Sequence, residues 1–353
     1  MIKVRLLTDA DNQQWHDYVS QHPDATAYHQ LAFKHAIERA YQHKCWYWLA
    51  IDINNTVVGV LASAWVKAPF SKGHLCALPF CDLGGVLGNN SDIAQTLIQQ
   101  AISCCQQHNI AYFDHRSHIF YRVTGEQSPE NCHGVGKVRM IMTLPETSEV
   151  LFNGFKSKLR SQIRKAEKNG LVASTGVNIE HINAFYEVFA LNMRDLGSPV
   201  HSKEWFKQLI EAYGDQAFIA IVHYQNKVVA GGLVLFNGDK ACIPWASSNG
   251  DYNKLAPNML LYWTVLKFAT DRGCKIFDFG RSTINEGTYR FKRQWGAKPQ
   301  RLEWDRYDHS GQLLPLGSQT QSKLRKLLAL CWKQLPVELS TKLGSKIRRY
   351  ISL

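Results

Sequence analysis

The chain has 353 residues, of which 45% are hydrophobic and 20% are charged, and it carries a formal net charge of +12. These proportions exclude a disordered polypeptide and describe a folded chain long enough for two domains of ordinary size. The sequence contains no run of about 18 uncharged apolar residues, so we expect no membrane-spanning helix.

The first part of the chain predicts an α/β domain. Its alternating start, at residues 1–9, indicates a first strand and not a signal peptide. The elements that follow are predicted as helices near 11–21 and 30–42, a hairpin from 45–53 into Val57, a helix over 91–108 and a strand at 112–117.

The nine cysteines show neither a Cys-x-x-Cys pair nor a cysteine–histidine cluster at zinc spacing. Cys104 and Cys105 lie inside an apolar helical pattern, which favours a core position. We therefore expect reduced thiols, no metal site and a cytoplasmic protein.

A strongly basic helix is predicted over residues 149–169. The stretch 149–174 contains six basic and two acidic side chains. Arg160, Arg164 and Lys168 recur at intervals of four residues and so share one helix face. This face could bind donor phosphates or RNA, or it could simply be solvated.

The second part of the chain repeats the order of elements in the first. Its elements are predicted as helices near 179–196 and 202–213, a hairpin from 217–224 into Val228, a helix over 257–272 and a buried strand at 274–279. The segment 112–117 also echoes 276–282. We therefore predict two similar domains, each a mixed sheet with helices on both faces, with Asp114 at the position of Asp278.

The predicted domain boundaries are 1–148 for the first α/β domain, 149–310 for the basic helix with the second domain, and 311–353 for a tail. The tail contains eight basic residues and one acidic residue. Its apolar residues follow helical spacing, which predicts a pair of basic amphipathic helices. Such a pair could lie in a membrane interface or dock on the protein's own surface.

The loop that follows the strand at 274–279 carries residue types suited to acyl transfer. Loops at the end of a core strand are common places for chemistry. Alternation over 289–293 predicts a strand, with Tyr289 and Phe291 on one face and Lys292 on the other. Lys292 is the candidate cation for the oxyanion of an acyl-transfer transition state, or else an ordinary lysine of a basic hairpin.

Asp278 is the second candidate of this loop. An aspartate at the end of a buried strand needs a partner or a cleft. It could position a substrate amine, or pair with Arg281 to hold the loop. Further candidates for substrate binding are Arg281, Tyr289, Trp245, Tyr252, Asn258 and Tyr262.

Three ordered motifs of the chain resemble those of the FemAB-like N-acyltransferases. The first is Phe-Asp-Phe-Gly-Arg-Ser at 277–282 with Tyr-Arg-Phe-Lys-Arg-Gln-Trp-Gly at 289–296, and the others lie at 157–171 and 256–263. The resemblance runs from about residue 5 to 310. It is nearest to the subgroup associated with exopolysaccharide and exosortase gene clusters, whose members often end in a basic tail with Trp-Lys-x-Leu-Pro, as at 332–336 here.

The resemblance implies tandem GNAT-like domains and transfer of an acyl or aminoacyl group to an amine of a cell-envelope precursor. The acceptor would be an exopolysaccharide amino sugar or a peptidoglycan peptide. Phe291 and Lys292 match a pair that lines the transfer site in enzymes that extend peptidoglycan side chains. The joint presence of Asp278, Arg281, Phe291 and Lys292 favours such an enzyme over a non-catalytic tandem module that binds RNA or an anionic membrane.

The resemblance leaves the donor open. In acetyltransferases, a Gly-rich loop before the helix at 257 usually binds the coenzyme A pyrophosphate, whereas this chain has Asn-Lys-Leu-Ala-Pro-Asn at 253–258. Pro257 suits a first helical turn, whose amide dipoles could still receive an anion. The expected donor is therefore acyl-CoA or aminoacyl-tRNA, with no tightly bound cofactor. A lipid-linked acceptor would bring this cytoplasmic enzyme into peripheral contact with the inner membrane.

Overall fold

The computed structural model describes residues 2–119, 137–316 and 323–353. The chain divides into two compact units. Unit 1 comprises Met1–Val138, Gln300–Gln319 and Arg349–Leu353, and unit 2 comprises Arg139–Pro299 and Thr320–Arg348.

The described residues form strands and helices that follow one another along the chain in mixed order. The strands are β1 (Lys3–Leu6), β2 (Cys45–Ile51), β3 (Val57–Val66), β4 (His74–Cys76), β5 (Leu87–Gly88), β6 (Tyr112–Ser117), β7 (Lys137–Thr143), β8 (Leu171–Gly176), β9 (Ala217–Tyr224), β10 (Lys227–Asn237), β11 (Lys240–Ser248), β12 (Ile276–Thr283), β13 (Lys298–Arg301) and β14 (Glu303–Asp308). The helices are α1 (Asn12–Gln21), α2 (Leu31–Tyr41), α3 (Ser91–Gln107), α4 (Ser148–Gly154), α5 (Ser157–Lys168), α6 (Ile179–Leu196), α7 (Lys203–Tyr213), α8 (Pro257–Asp271), α9 (Gly287–Gln294), α10 (Lys323–Lys333) and α11 (Val337–Ile347).

Unit 1 is built on a mixed sheet with the strand order β1-β2-β3-β4-β6-β14, and β5 pairs with β3. The strands are antiparallel except for the parallel pair β4–β6. Helix α3 packs on this sheet because its apolar side bears Ile93, Leu97 and Ala101, all buried in one core cluster. Asn90 caps α3 by accepting a hydrogen bond from the backbone N–H of Ile93.

Unit 2 is built on a sheet with the strand order β8-β9-β10-β11-β12-β7-β13. Strands β11 and β12 of this sheet pair in parallel. Helices α6 and α8 pack against its central strands. Side-chain caps at Asn178 and Ser202 fix the starts of α6 and α7. The mixed α/β fold with two helix-covered sheets is the predicted one.

The two sheets repeat one strand order, with β1-β2-β3-β4-β6-β14 corresponding to β8-β9-β10-β11-β12-β7. In the parallel pairs, Cys76 lies opposite Asp114 in one sheet and Cys242 lies opposite Asp278 in the other. The prediction that Asp114 and Asp278 occupy equivalent positions is therefore confirmed by the strand registers.

The predicted domain boundaries differ from those of the two units. Strand β14 lies in the sheet of unit 1, whereas it falls within the predicted second domain. Strand β7 lies in the sheet of unit 2, whereas it falls within the predicted first domain. Each sheet thus takes one strand from the other half of the sequence. Local patterns cannot show this exchange, because the partner strands are far apart in the chain.

The predicted helix over 149–169 is two helices, α4 and α5. Phe155 and Lys156 adopt extended backbone conformations between them. The break after Gly154 lets Phe155 turn inward, where its ring makes an edge-on contact with Trp295 at 5.5 Å. Burial of this aromatic ring stabilises the interruption.

The predicted tail helices are present and dock on unit 2. Helices α10 and α11 contact α6, and Arg194 of α6 donates a hydrogen bond to the carbonyl oxygen of Leu335 at 3.2 Å. Gly197 and Gly344 lie at these contacts, close to Ala329 and Pro199 respectively. In the described ranges, none of the helices combines the length and the apolar character needed to traverse a bilayer.

Candidate transfer site

The loop after β12 leads into helix α9, which corrects the strand predicted over 289–293. Helical spacing puts Tyr289 and Lys292 together on the buried side, and it puts Phe291 one turn before Trp295. Tyr289 and Phe291 fit a period of two, whereas Tyr289 with Lys292 and Phe291 with Trp295 fit a period of 3.6. The burial of Tyr289, Lys292 and Trp295 selects the helix.

Lys292 is buried at the base of this loop. Its Nζ donates hydrogen bonds to the carbonyl oxygens of Gly280 and Arg281, at 3.1 and 2.8 Å. Gly280 has φ +74, a conformation that favours glycine. A cation is thereby fixed beneath the end of a core strand, so Lys292 is not a solvated surface lysine.

Asp278 is also buried, and its partner is Arg139 of β7. Oδ2 of Asp278 accepts hydrogen bonds from Nε and Nη2 of Arg139, at 3.1 and 2.9 Å. Oδ1 accepts the backbone N–H of Gly280 at 2.7 Å. The side-chain pairing predicted with Arg281 is wrong, because β7 lies beside β12 and brings Arg139 to the carboxylate.

Unit 1 contains an equivalent pair. Asp114 accepts hydrogen bonds from Arg306 of β14, at 2.6 Å from Nε and 3.2 Å from Nη2. Arg139 and Arg306 both lie on the strand that each sheet takes from the other half of the sequence. Sequence reasoning missed Arg139, although an arginine within the apolar run Val138–Met142 was a usable signal.

An aromatic cluster packs beside α9. Tyr262 of α8 stacks on Phe279 with ring centroids 5.7 Å apart and meets Phe291 edge-on at 5.0 Å. Burial raises the pKa of Tyr262 to about 12, so its phenol stays protonated. Tyr289 is buried nearby, with the Arg293 guanidinium 5.8 Å from its ring centre.

Two predicted substrate-binding residues make other contacts. Trp245 packs edge-on against Trp205 and Phe206 of α7, at 6.0 and 5.4 Å. Tyr252 lies 6.0 Å from the ring of Tyr224. None of these contacts involves Lys292.

The start of α8 has no glycine-rich loop. A short 3-10 helix, Gly250–Leu255, leads into Ala256, which has φ +64, and Pro257 then opens the helix. Asn258 donates a hydrogen bond to Ser248 Oγ at 2.9 Å, which ties the first turn of α8 to β11.

Helix α5 contacts α8, and its buried residues are Leu159, Ile163 and Ala166. Arg164 and Lys168 are exposed, and the Arg164 guanidinium lies 5.3 Å from the ring centre of Phe152. Nε of Arg160 is buried and has no hydrogen-bond partner in the structure. Just after α5, Asn169 donates to the carbonyl oxygen of Leu255 at 3.3 Å, which links this helix to the start of α8.

Comparison with known proteins finds similarity in part of the sequence and in the fold. Residues 153–293 match the model of the acetyltransferase (GNAT) domain. A stretch of 95 residues is 31% identical to the lipid II:glycine glycyltransferase of Staphylococcus haemolyticus. The fold matches that of FemX with a TM-score of 0.67 and 14% identity, over 93% of this chain and 100% of FemX. The chain thus contains a region similar to the GNAT domain and resembles the FemAB-like transferases in local sequence and in fold.

The sequence similarity of this chain is local. The S. haemolyticus alignment covers 25% of this chain and 23% of the relative. The lipid II:glycine glycyltransferase of Staphylococcus aureus is 26% identical over 82 residues, 21% of this chain and 20% of the relative. The tandem GNAT protein of the clavulanic acid pathway shares the fold, with a TM-score of 0.53 and 11% identity over 88% of this chain and 99% of that protein.

The site of this chain holds no metal cluster within the described residues, since no three His, Cys, Asp or Glu side chains there are grouped as ligands. The GNAT match includes α5, α8, β12 and the helix that carries Lys292. Around the end of β12 the structure brings together Asp278, Arg281, Tyr289, Phe291 and Lys292, with Tyr262 behind them.

Proposed function

We propose that this chain transfers an acyl or aminoacyl group to an amine of a cell-envelope precursor. The observation that carries the proposal is its similarity to lipid II:glycine glycyltransferases, together with a GNAT domain that contains Lys292. This similarity supports a peptidoglycan-type acceptor over the exopolysaccharide amino sugar.

The proposed reaction needs no covalent enzyme intermediate. The acceptor amine attacks the donor carbonyl carbon, a C–N bond forms, and the C–O bond of an aminoacyl ester or the C–S bond of a thioester breaks. The proton lost by the amine ends on the leaving oxygen or sulfur. The carbonyl oxygen gains negative charge on the way, so a cation held in place beforehand lowers the barrier.

We assign that cation to Lys292. Its hydrogen bonds to Gly280 and Arg281 hold Nζ in place before the reaction, which limits the reorganisation needed in the transition state. Asp278 acts as a positioning residue, because it orients Gly280 and is itself neutralised by Arg139. Phe291 and Tyr289 form the apolar wall, and Arg281 contacts the acceptor.

The donor is proposed to be an aminoacyl-tRNA. The segment before α8 lacks the glycine-rich loop expected for a coenzyme A pyrophosphate. The cations Arg160, Arg164 and Lys168 share one face of α5, which is tied to the start of α8 through Asn169. This face is suited to phosphate groups of a donor nucleic acid.

A donor and acceptor matrix tests the proposal. Purified chain is incubated with glycyl-tRNA or acetyl-CoA and with lipid II or its soluble nucleotide-linked precursor, and products are followed by mass spectrometry. We expect one aminoacyl group on lipid II from glycyl-tRNA. Acetyl transfer alone would overturn the donor assignment, and absence of transfer in every combination, with other aminoacyl-tRNAs included, would overturn the function.

We further propose that the tail holds the enzyme at the membrane surface. Leu339, Leu343 and Ile347 form one stripe on α11 and are 40–43% exposed although the helix is docked. Lys342 and Lys346 are exposed beside this stripe. An apolar stripe flanked by lysines fits an anionic lipid surface, where each cation contributes about 1 kcal/mol.

Vesicle co-sedimentation tests the membrane proposal. Substitution is preferable to truncation, because Ser352 accepts hydrogen bonds from Arg116 within unit 1. Leu343→Glu with Ile347→Glu should abolish binding to vesicles rich in phosphatidylglycerol. Ile53→Glu, at an exposed apolar residue of unit 1, is the matched control. Equal sedimentation of both variants, or no binding by the unaltered chain, would contradict it.

A further inference from the structure

The two sheets end in four edge strands, and one of them differs from the others. Edge strands normally carry charges or proline, which discourage pairing with another chain. Strand β1 carries Lys3 and Arg5, and β13 contains a proline between basic residues. Strand β14 is rich in charge and forms a bridge from Tyr307 to Leu313. Strand β8, Leu-Val-Ala-Ser-Thr-Gly, has neither a charge nor a proline.

The outer edge of β8 is open. It pairs with β9 over its whole length, from Leu171 opposite Tyr224 to Gly176 opposite Ile219. Within residues 2–119, 137–316 and 323–353, no second strand pairs with it. Val172 is 65% exposed on this strand, and Val177 and Ile179 are exposed just after it. An uncharged edge flanked by exposed valine and isoleucine side chains is typical of a pairing surface.

A groove of about 730 Å³ runs beside β8. Its walls are β8, the end of α5 and the outer side of α8, with Trp263 and Phe268 among its apolar residues. Its charged residues are Glu167, Asp271, Lys267 and Arg272. Two charges of each sign make the groove neutral in a chain of net charge +12, so it does not select an anionic partner.

We propose that β8 is the interface of a homodimer, in which two copies pair antiparallel through Leu171–Gly176. A strand that pairs with its own copy about a two-fold axis is self-complementary by symmetry. The uncharged sequence of β8 brings no like charges together across the axis. The backbone groups on its open edge gain hydrogen bonds, and the two seven-stranded sheets join into one.

The groove supplies contact area that a short strand pair lacks. Stable interfaces bury about 1,200–2,000 Å² in total, more than six paired residues provide. The α8 wall, with Trp263 and Phe268, adjoins the strand and adds apolar surface to the contact. The interface therefore consists of the β8 backbone pair and of the helix surfaces beside it.

Light scattering after size exclusion tests the proposal on the full chain. We expect a species of twice 40.2 kDa. Val172→Lys puts a charge on the open edge close to the two-fold axis, and the two like charges then lie on the same face of the joined sheet, so the dimer dissociation constant should rise about tenfold or more. Leu6→Lys is the matched control, since Leu6 is an exposed apolar residue on the charged edge strand β1 and its substitution should leave the dimer intact.

Disulfide trapping locates the contact. Ala173→Cys and Ser174→Cys, each in a Cys331→Ser background that removes an exposed thiol, place sulfur near the two-fold axis. At least one should form a covalent dimer on mild oxidation, whereas the Cys331→Ser parent should not. A monomer at all concentrations, a dimer that Val172→Lys leaves unchanged, or absence of trapping from both positions would overturn the proposal.

Discussion

Removal of Arg139 should destabilise unit 2 more than most single substitutions. Arg139→Met keeps much of the side-chain volume, but it removes the cation that neutralises the buried Asp278 carboxylate. That carboxylate keeps the hydrogen bond from the Gly280 N–H. Loss of one partner of a buried ion pair costs about 3–5 kcal/mol, because the other charge stays away from water. Arg139→Met should therefore lower the free energy of unfolding by about that amount.

A double-mutant cycle separates the pair from its surroundings. Asp278→Asn keeps an acceptor for the Gly280 N–H while it removes the charge. Arg139→Met combined with Asp278→Asn should cost less than the sum of the two single changes, with a coupling of about 0.5–3 kcal/mol. Urea unfolding followed by tryptophan fluorescence measures each variant.

The equivalent pair of unit 1 is the matched control. Arg306→Met removes the hydrogen-bonding partner of Asp114 at the equivalent strand position, but Arg116 remains 3.9 Å from that carboxylate and Arg306 is more exposed than Arg139, so its cost should be smaller. If the free energy of unfolding of Arg139→Met lies within about 1 kcal/mol of that of the unaltered chain, the reasoning is refuted, since a buried carboxylate without a cationic partner should destabilise the fold by more than that.

Three further predictions follow from the buried groups. Burial lowers the pKa of His29 and of His115 to about 4, so below about pH 6.5 these histidines bind protons in the unfolded chain but stay neutral in the folded one. The free energy of unfolding, measured by urea titration, should therefore fall as the pH falls from 6.5 towards 4, by at most about 1.4 kcal/mol per pH unit for each histidine. The decrease should be smaller in His115→Gln. Lys292→Met should lower kcat about 100- to 1,000-fold, and a folded variant within threefold of the unaltered enzyme would remove Lys292 from the mechanism. Tyr262→Phe should leave the rate within about threefold, since the phenol sits in an aromatic cluster, and a loss comparable to that of Lys292→Met would show that its hydroxyl takes part.

Local sequence signals were sufficient for most elements of the fold. Helices α3, α6 and α7 begin at Asn or Ser caps and carry apolar residues at helical spacing, so their bounds lie within one or two residues of the prediction. The equivalence of Asp114 and Asp278 was visible because the segment 112–117 resembles the segment 276–282. These signals are local, and they correctly gave two similar α/β halves.

Long-range pairing was not predictable. The exchange of β7 and β14 between the halves depends on which strand edges meet, and no local pattern reports it. The same exchange supplies Arg139 to Asp278, and for that reason the pairing with Arg281, one of the two roles considered for this aspartate, is not the one found. The strand predicted over 289–293 was wrong for a different reason. Tyr289 and Phe291 have the spacing of a strand, whereas Phe291 and Trp295 have that of a helix, and tertiary packing decides between them.

Single-turnover transfer of labelled glycine from glycyl-tRNA to lipid II, in detergent micelles, tests the central claim most directly. The chain should transfer label to the lipid II amine, and Lys292→Met should reduce the rate by at least about 100-fold while its circular dichroism and urea midpoint show a folded protein. Transfer that is unaffected by Lys292→Met would contradict the proposed site, and no transfer by the unaltered chain would contradict an aminoacyl-tRNA-dependent activity on this acceptor.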